Sequence, residues 1–368
     1  MEVDELIYKM AFASVKGMSF ALAGELMNQL GSEKNFFVIP EQSLYQITQS
    51  KSQIYTKTYR DKVLQEAERE FEFVTAHKIS VMYHTDEGYP QRLLECEDAP
   101  LALYSIGQTD LNCARTISIV GTRRATVYGL NFTDRLVREL AETVENPVIV
   151  SGLAYGIDVA AHKAALKYGI PTIAVLAHGL NMIYPTDHRA EAVKIVQHGG
   201  MLVTDYKSSD KIHRGSFLAR NRIIAGLSDC TIVVESARKG GSLATAGISS
   251  AYGRDVFAVP GRISDQYSVG CNQLIASNIA AILTDPSDLV AAMRWPIHKK
   301  IDTTPTLPLA VSTDEEAIIT FLRDNESATT NRISVSLNIP IGKLLSMLID
   351  LEFRGVLAAI PGGQYRLL

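Results

Sequence analysis

The sequence has little cysteine, and what it has is scattered. Its 368 residues include four cysteines, at positions 96, 113, 230 and 271, and none of them forms a CxxC pair. Zinc sites and disulfide frameworks need closely spaced or numerous cysteines. The histidines also show no metal-ligand spacing with one another. We therefore expect neither a bound metal nor a disulfide scaffold.

Long apolar runs are missing as well. No uninterrupted stretch of about 18 apolar residues predicts a membrane span, although 46% of the residues are hydrophobic. The amino terminus, MEVDELIYKM, is acidic and lacks the basic and then apolar segments of a signal peptide. These features predict a protein of the reducing cytoplasm that has no membrane partner.

The chain as a whole lacks the positive charge expected of a nucleic-acid-binding protein, because its net charge is −4. The charge is unevenly distributed, however. Residues 1–100 carry 10 Lys and Arg against 16 Asp and Glu, whereas residues 111–291 carry 18 against 15. The middle of the chain therefore has a net charge of +3, which permits a local basic surface.

Familiar nucleotide-binding motifs are also absent. No GxxxxGK[ST] sequence occurs, which excludes a P-loop ATPase. The segment ISIVGTRRATVYG (117–129) has the pattern of a strand, a glycine turn and a helix, but Arg123 and Arg124 stand where a dinucleotide-binding motif has more glycine. This turn therefore suits either a mononucleotide or the phosphate backbone of a polymer.

Strands and helices alternate regularly through residues 107–293. Six β-branched runs predict strands, namely ISIV (117–120), PVIVS (147–151), PTIAVLA (171–177), MLVTD (201–205), CTIVVES (230–236) and DVFAVPG (255–261). They lack polar alternation, as strands covered on both faces do, and helical stretches separate them. The pattern predicts an α/β fold with a doubly wound parallel sheet.

Smaller domains are predicted on both sides of this sheet. Residues 1–106 predict short helices, and two of them around Gly17 resemble a helix-hairpin-helix (SAM-like) element, which can seat a DNA phosphate or serve only for packing. Residues 294–312 contain three prolines and predict a linker. Residues 313–368 predict three short helices and two strands, an order typical of winged helices. The candidate recognition helix has few basic residues, so protein contact is an equally good interpretation of this domain.

The turns after the predicted strands carry glycine and cations. In a parallel sheet these turns emerge at the carboxyl edge, where ligands bind. Glycine lets backbone amides approach a phosphate, and the following helix adds its positive end. The turns contribute Gly121, Thr122, Gly240, Gly241 and Ser242 together with Arg123, Arg124, Arg238, Lys239 and Arg262. Their common edge predicts an anion-binding site, in which Gly240, Gly241 and Ser242 are candidate DNA-binding residues, although each glycine alone could serve only a tight turn.

The segment at residues 207–222 is strongly basic, with five cations against one acidic residue, a net charge of +4. Phe217, Arg220 and Asn221 are three and four positions apart, so they share one face of a helix. An aromatic ring beside guanidinium groups suits single-stranded nucleic acid, because bases stack on the ring while arginines hold phosphates. The alternative is that Phe217, Asn221 and Ile224 form a buried stripe beside solvated arginines.

Two features permit an enzymatic interpretation. Asp158 and His162 are four positions apart on one predicted helix and form a possible acid–base pair, but Asp158 also fits a helix cap and no nucleophile accompanies them. The segment KGGSLATAG (239–247) is similar to the PGGxGTxxE motif of nucleotide phosphoribohydrolases, with Gly247 at the position of the catalytic glutamate. Because this carboxylate is missing, we predict that the protein is not an enzyme.

Six segments occur in the order typical of one protein family: SIVGTRRAT, VSGLAYGIDVAAHKAAL, TIAVLAHGLNMIYP, FLARNRIIAGLSD, KGGSLATA and GRDVFAVPG. The sequence resembles the bacterial DNA-processing protein A (DprA/Smf) family over its whole middle domain. The resemblance implies an extended Rossmann-like fold that binds single-stranded DNA without sequence preference. It also implies that the protein needs no cofactor. It also implies protection of incoming DNA and loading of the RecA recombinase during natural transformation or recombination.

The resemblance implies three groups of DNA-binding residues. They are a phosphate-binding turn (Gly121, Thr122 and Arg123), a basic residue with a stacking aromatic (Arg214 and Phe217), and an arginine–asparagine–arginine signature (Arg220, Asn221 and Arg222). Leu218 stands where the family often has proline, and Arg222 has an alternative role in bracing the turns. Family members form dimers through the middle domain, for which residues 270–283 are the candidate surface. The implied partners are single-stranded DNA, RecA and a second copy of the chain.

Overall fold

The structure is a computed structural model. It describes residues 3–297, 312–325, 327–354, 356–360 and 363–367. The chain divides into two compact units, residues 1–299 and residues 300–368. Of the predicted linker, residues 294–312, only residues 294–297 and 312 are among the described residues, so most of this prediction lies outside them.

The first unit combines helices with one large sheet. Its α-helices are α1 (Val3–Ala13), α2 (Phe20–Leu30), α3 (Glu33–Val38), α4 (Glu41–Thr48), α5 (Lys57–Ala76), α6 (Gln91–Leu94), α7 (Val127–Thr143), α8 (Ile157–Tyr168), α9 (Arg189–Gln197), α10 (Arg214–Gly226), α11 (Gly241–Ala251), α12 (Val269–Ala276) and α13 (Pro286–Ala292). Its strands are β1 (Ser80–Tyr83), β2 (Ala102–Gly107), β3 (Arg115–Val120), β4 (Pro147–Ser151), β5 (Thr172–Val175), β6 (Met201–Thr204), β7 (Cys230–Val233), β8 (Asp255–Ala258) and β9 (Ala281–Ile282).

The nine strands form a sheet in the order β1-β2-β6-β5-β4-β3-β7-β8-β9. The seven strands β3 to β9 are parallel to their neighbours among them. Strand β1 pairs with β2, and β2 with β6, in antiparallel fashion. Each of the six predicted strand segments overlaps one of the strands β3 to β8. The predicted α/β fold with a mostly parallel sheet is therefore confirmed, and the antiparallel strands at one edge are an addition to it.

Both faces of the parallel strands are covered by helices, which explains their continuous apolar sequences. Ile117 and Ile119 of β3 belong to the core formed with α7, α8 and α13. Val120, the next residue along the strand, belongs to the core on the opposite face, where α10, α11 and α12 pack. The chain ends α8 at Gly169, whose φ of 70° favours glycine.

The amino-terminal helices form their own layer. The two predicted helices around Gly17 are confirmed as α1 and α2, with Gly17 at a φ of 77° between them. The Ser19 hydroxyl caps α2 by accepting a hydrogen bond from the Leu22 amide. The apolar core of this layer also contains Tyr83 of β1 and Tyr104 of β2. The helices therefore pack directly on the antiparallel edge of the sheet.

Strand β2 ends at Gly107, so the domain boundary predicted at residue 106 falls within the sheet. Both β1 and β2 come from residues that sequence analysis gave to the amino-terminal domain. Because these strands pair with each other and with β6, residues 80–107 complete the sheet. The division of this unit into two domains remains a prediction.

The second unit contains α14 (Thr313–Asp324), α15 (Thr330–Leu337) and α16 (Ile341–Phe353), with strands β10 (Ala328–Thr329), β11 (Leu357–Ile360) and β12 (Gln364–Leu367). Its sheet has the order β10-β12-β11 and is antiparallel. Ile318, Leu322, Leu344 and Leu348 lie in its buried core. The three predicted helices and the two strands after them are present, and the short strand β10 between α14 and α15 is an addition to the predicted order. The winged-helix class remains a prediction.

No single helix in the described part of the chain has both the length and the apolar composition of a membrane span, although the bent pair of α15 and α16 would meet both criteria together.

Candidate nucleic-acid interface

The candidate site lies between β3 and β7, the point from which successive strands are added to the sheet in opposite directions. From β3 the chain continues through α7 to β4 on one side, whereas from β7 it continues through α11 to β8 on the other. Such a reversal opens a crevice at the carboxyl ends of the strands, where ligands bind in α/β sheets. A cavity of about 360 Å³, here called the edge pocket, occupies this crevice.

The edge pocket brings together residues from three segments that are distant in sequence. Its lining includes Gly121, Thr122, Arg123, Arg214, Phe217, Arg220, Asn221, Gly240, Gly241 and Ser242. These are all of the predicted DNA-binding residues except Arg222. Lys239 also lines the pocket, together with the buried carboxyl group of Asp158.

The turn after β3 has a backbone that is held from two sides. The Thr122 amide donates to the Glu235 carbonyl at 2.7 Å, and the Thr122 carbonyl accepts from the Ile157 amide at 3.2 Å. A Cβ atom at Gly121 would lie 2.5 Å from Ile157 Cγ1. Glycine is therefore needed here for the close approach of the turn to α8, and Arg123 projects from a fixed backbone.

The neighbouring turn interlocks with it. Gly156 has a φ of 77°, and a Cβ atom there would lie 2.2 Å from the Thr122 carbonyl oxygen. The Glu235 carboxylate accepts from the Thr126 amide at 2.9 Å and from the Thr126 hydroxyl at 2.6 Å. This carboxylate belongs to the segment after β7, on the other side of the crevice, and it holds the start of α7 against that segment. The two glycine turns thus form one rigid wall of the edge pocket.

Two exposed arginines, Arg123 and Arg214, carry positive charge into the edge pocket. Among the described residues, neither has a carboxylate oxygen within the 4.0 Å of an ion pair. The first turn of α10 fixes Arg214, because His213 Nδ1 accepts from the Ser216 amide at 3.1 Å and caps the helix. Since neither arginine forms an ion pair within the described ranges, both guanidinium groups can bind an external anion.

Phe217 is the aromatic centre of the site. The Cζ atom of Arg123 lies 5.6 Å from its ring centroid, which is the geometry of a cation–π contact. The ring of Tyr184 lies 5.6 Å away, centroid to centroid, at an interplanar angle of 57°. Phe217 is half-buried and Leu218 is exposed. Because Arg214 is three positions earlier on α10, its side chain shares a helix face with Phe217.

Arg220 lines the bottom of the edge pocket and is almost completely buried, with only 4% of its surface exposed. Its Nη1 donates to the Val175 carbonyl at 2.5 Å, and a Cβ atom at Gly152 would lie 1.9 Å from that nitrogen. Burial lowers the pKa of Arg220 to about 10, and the charge of Asp158 opposes this shift. Burial raises the pKa of Asp158, whereas Arg220 and two backbone amides lower it. This pair forms the floor of the edge pocket.

The amino terminus of α11 forms the wall opposite Arg123. Asn221 Nδ2 donates to the Gly241 carbonyl at 3.3 Å, which ties α10 to the first turn of α11. The Ser242 hydroxyl donates to the Ser236 hydroxyl at 2.9 Å. Gly240 precedes the helix with extended backbone, and its carbonyl accepts from the Leu243 amide. The positive end of an 11-residue helix therefore faces a cavity that also contains Arg123 and Arg214, neither of which has an ion pair in the part of the chain that the structure describes.

A sequence model of the DNA recombination-mediator protein A family matches residues 80–294. The chain belongs to this family. Protein Smf of Escherichia coli is 34% identical over 288 residues, which cover 76% of this chain and 75% of that protein. DNA processing protein DprA of Streptococcus pneumoniae is 38% identical over 210 residues, or 57% of this chain and 73% of that protein.

Two solved DprA structures are similar to this one. The X-ray structure of DprA from Streptococcus pneumoniae has a TM-score of 0.65 and 30% identity, covering 79% of this chain and 98% of the other. DNA processing protein A from Helicobacter pylori has a TM-score of 0.53 and 31% identity, covering 59% and 96%. The structure of the second protein concerns its unique single-stranded DNA binding mode.

One predicted DprA-family site residue, Arg222, lies outside the edge pocket. Its Nη2 forms an ion pair with Asp205, and its Nη1 donates to the Asp98 carbonyl at 2.6 Å. Arg222 therefore links α10 to the segments before β2 and after β6. The Arg222 side chain contacts Asp205 and Asp98 and does not line the edge pocket. This placement agrees with the alternative prediction that Arg222 braces neighbouring segments.

The possible acid–base pair of Asp158 and His162 has no suitable geometry. The His162 ring is fully buried, and its Nδ1 lies 2.7 Å from the Thr172 hydroxyl. Burial, assisted by the charges of Arg220 and His188, lowers the pKa of His162 to about 3. The ring is thus a poor proton acceptor with no surface in the edge pocket. Within the described residues, no group of three or more His, Cys, Asp or Glu could hold a metal ion.

Sequence analysis did not identify Tyr184 as a site residue, although it contacts Phe217. Lys239 was predicted only as a cation near the carboxyl edge, and it lines the edge pocket. Tyr184 lies in the turn between β5 and α9, which emerges at the same edge as the other turns. The available signal was therefore its position after a predicted parallel strand, within the segment TIAVLAHGLNMIYP.

Proposed function

We propose that this protein binds single-stranded DNA without sequence preference through the edge pocket. The observation that carries the proposal is that Arg123, Arg214 and Phe217 line one cavity, with both guanidinium groups free of ion pairs among the described residues. Aromatic rings beside unpaired cations are the features with which proteins bind unpaired strands of any sequence. The single-stranded DNA binding of the Helicobacter pylori relative supports this proposal.

Each part of the edge pocket has a distinct chemical role in this proposal. Arg123, Arg214 and the amino terminus of α11 bind phosphate oxygens through charge and backbone amides. Phe217 stacks on a base, and stacking tolerates every base because each has a π face. Arg220, which is buried and bonded to the Val175 carbonyl, orders the floor and does not itself grip the strand.

A polymer fits the surface better than a free nucleotide does. A second cavity of about 330 Å³ adjoins the edge pocket, since Ala237 and Lys239 line both. The second cavity also has Arg238, which is exposed and has no ion pair among the described residues. The positive surface therefore continues past the space that one nucleotide fills, as a strand with a phosphate at every nucleotide requires.

We extend the proposal to the cellular role and the assembly. Membership of a recombination-mediator family supports protection of incoming DNA and loading of RecA onto it, in the cytoplasm, during transformation or recombination. Residues 270–283 are proposed to join two copies of the chain. They include the end strand β9, near which Ile279 and Ile282 are 41% and 52% exposed.

A salt titration tests the proposal. Binding of the full-length protein to single-stranded and double-stranded oligonucleotides is measured by fluorescence anisotropy from low to high salt. We expect preference for the single strand and a fall of log K with log salt at a slope near −0.7 per neutralised phosphate. A salt-insensitive complex, equal binding of duplex, or a marked base preference would contradict the proposal.

The enzymatic alternative is tested separately by incubating the protein with nucleoside monophosphates. Hydrolysis by the motif that KGGSLATAG resembles requires a glutamate at the position of Gly247, a residue of α11. Asp158 does place a carboxyl group at the edge pocket, but this group is buried and interacts with the charge of Arg220. We expect no release of free base, and release at enzymatic rates would support this alternative.

A further inference from the structure

Tyr184 is a second aromatic surface beside the edge pocket. Its ring centroid lies 5.6 Å from that of Phe217, and 46% of the residue is exposed. An aromatic side chain with nearly half of its surface in water gains less from burial than one in the core. The exposed face is therefore available to a ligand that also contacts Phe217.

The backbone of Tyr184 is held in place, which makes its ring a prepared surface. Its amide donates to His178 Nε2 at 3.1 Å, and His178 Nδ1 lies 2.9 Å from the Gly179 carbonyl. These two bonds fit one neutral tautomer, which donates from Nδ1 and accepts at Nε2. Burial lowers the pKa of His178 and favours this neutral form. Together with the contact between the Tyr184 and Phe217 rings, the held backbone limits the positions of the Tyr184 ring, which reduces the conformational entropy lost when a base stacks on it.

We propose that Tyr184 is a second base-stacking position, which receives the nucleotide next to the one on Phe217. The proposal rests on the single-stranded DNA binding proposed above. The 57° angle between the two rings gives it a further consequence. Neighbouring bases in a duplex are parallel and about 3.4 Å apart, so they do not fit two inclined rings. Tyr184 and Phe217 together therefore select a strand whose bases are unstacked.

The first test combines substitutions of both rings in the full-length protein. Tyr184→Leu keeps an apolar side chain without a ring and is expected to weaken single-strand binding about fivefold or more, because stacking of one base is worth roughly 1–3 kcal/mol. Tyr184→Phe keeps the ring and should restore tight binding. The loss should persist when Tyr184→Leu is added to Phe217→Ala, and the preference for single strands over duplex should decrease.

Three results separate the possibilities. If Tyr184→Leu has no effect, the inference is wrong. If its effect disappears in the Phe217→Ala background, Tyr184 only supports Phe217 and the inference is also wrong. If the wild type shows no salt-dependent binding of single strands, both the proposed function and this inference fail. If the wild type binds as proposed and only the Tyr184 result is negative, the inference alone fails.

Photocrosslinking gives a second, independent readout on the wild-type protein. Oligonucleotides carry one 5-iododeoxyuridine at successive positions, and crosslinked peptides are identified by mass spectrometry. We expect crosslinks to Tyr184 and Phe217 from adjacent positions of the strand. Crosslinks to Phe217 without any to Tyr184 would overturn the inference.

Discussion

The guanidinium group of Arg123 lies over the ring of Phe217, with 5.6 Å between Cζ and the ring centroid. Arg123 comes from the turn after β3, and Phe217 comes from the second turn of α10. Their contact holds the charge that we propose binds phosphate beside the ring that we propose stacks on a base. Because exposed cation–π contacts contribute about 0.5–1 kcal/mol, each side chain is expected to help position the other.

We expect Phe217→Ala to weaken single-strand binding by about 1–3 kcal/mol through lost stacking, with little change in salt dependence. Combined with Arg123→Ala, its effect should fall short of additivity by about 0.5–1 kcal/mol, because the contact between the two side chains is lost only once. Anisotropy titrations of the two single variants and the double variant measure this coupling. Strict additivity would show that the two residues act independently.

The unpaired arginines should control the salt dependence. Arg123→Ala and Arg214→Ala are each expected to weaken binding to all sequences alike and to reduce the magnitude of the log–log salt slope by about 0.7. Arg138→Ala is the matched control, since this exposed arginine lies about three helical turns from the start of α7 and does not line the edge pocket. A slope that Arg138→Ala changes as much as Arg214→Ala does would show that only general charge matters.

The parallel part of the fold could be predicted because its strands are buried on both faces and therefore have continuous β-branched sequences. Strands β3 to β8 follow that rule. Strand β1 does not, since its burial decreases from Tyr83 to an exposed Ser80. With β2 it forms an antiparallel edge against β6, a pairing of segments about 100 residues apart that periodicity does not reveal.

The candidate site was largely predictable because all βα turns of a parallel sheet emerge at one edge. The order of the strands was not. Tyr184 and Phe217 come together because β5 and β6 are neighbours, so the segments that follow them are neighbours too. Arg222 was assigned to the site with Asn221, but adjacent residues on a helix do not share a face. Its side chain instead reaches Asp205.

The two glycines Gly152 and Gly247 should respond oppositely to alanine. A Cβ atom at Gly152 would lie 1.9 Å from Arg220 Nη1, so Gly152→Ala must displace a buried guanidinium group and should cost about 1–3 kcal/mol of unfolding free energy. Gly247 lies within α11 with no atom within 4 Å of the added Cβ, so Gly247→Ala should stabilise the helix by up to about 1 kcal/mol. Thermal unfolding midpoints that move in the same direction would contradict this account.

His162 should make the protein less stable in acid. Burial, together with the charges of Arg220 and His188, lowers the pKa of His162 in the folded chain from 6.5 to about 3. Between these values the unfolded chain binds a proton that the folded chain does not, so the contribution present above pH 6.5 is lost as the pH falls. The loss is about 2 kcal/mol by pH 5.

Urea unfolding of the wild type and of His162→Gln at pH 7.5 and pH 5 measures this contribution. The variant retains a polar side chain near the Thr172 hydroxyl but does not titrate, so its unfolding free energy should fall less over the same pH range. Comparing the two proteins cancels the carboxyl groups that they share, including Asp158, whose raised pKa acts in the opposite direction. An equal pH dependence in both proteins would exclude His162 as the source.

The edge of the sheet at β9 should control assembly. Strand β9 is the outermost strand beside β8, and Ile282 within it is 52% exposed. Unprotected apolar edge strands tend to pair with another chain, and charge placed on them opposes such pairing. If the proposed dimer forms through this edge, we expect Ile282→Glu to convert it into monomers, as measured by light scattering after size-exclusion chromatography. Ile263→Glu is the control, because Ile263 is 92% exposed but lies outside residues 270–283. A dimer that tolerates Ile282→Glu and dissociates with Ile263→Glu would move the interface to the loop after β8.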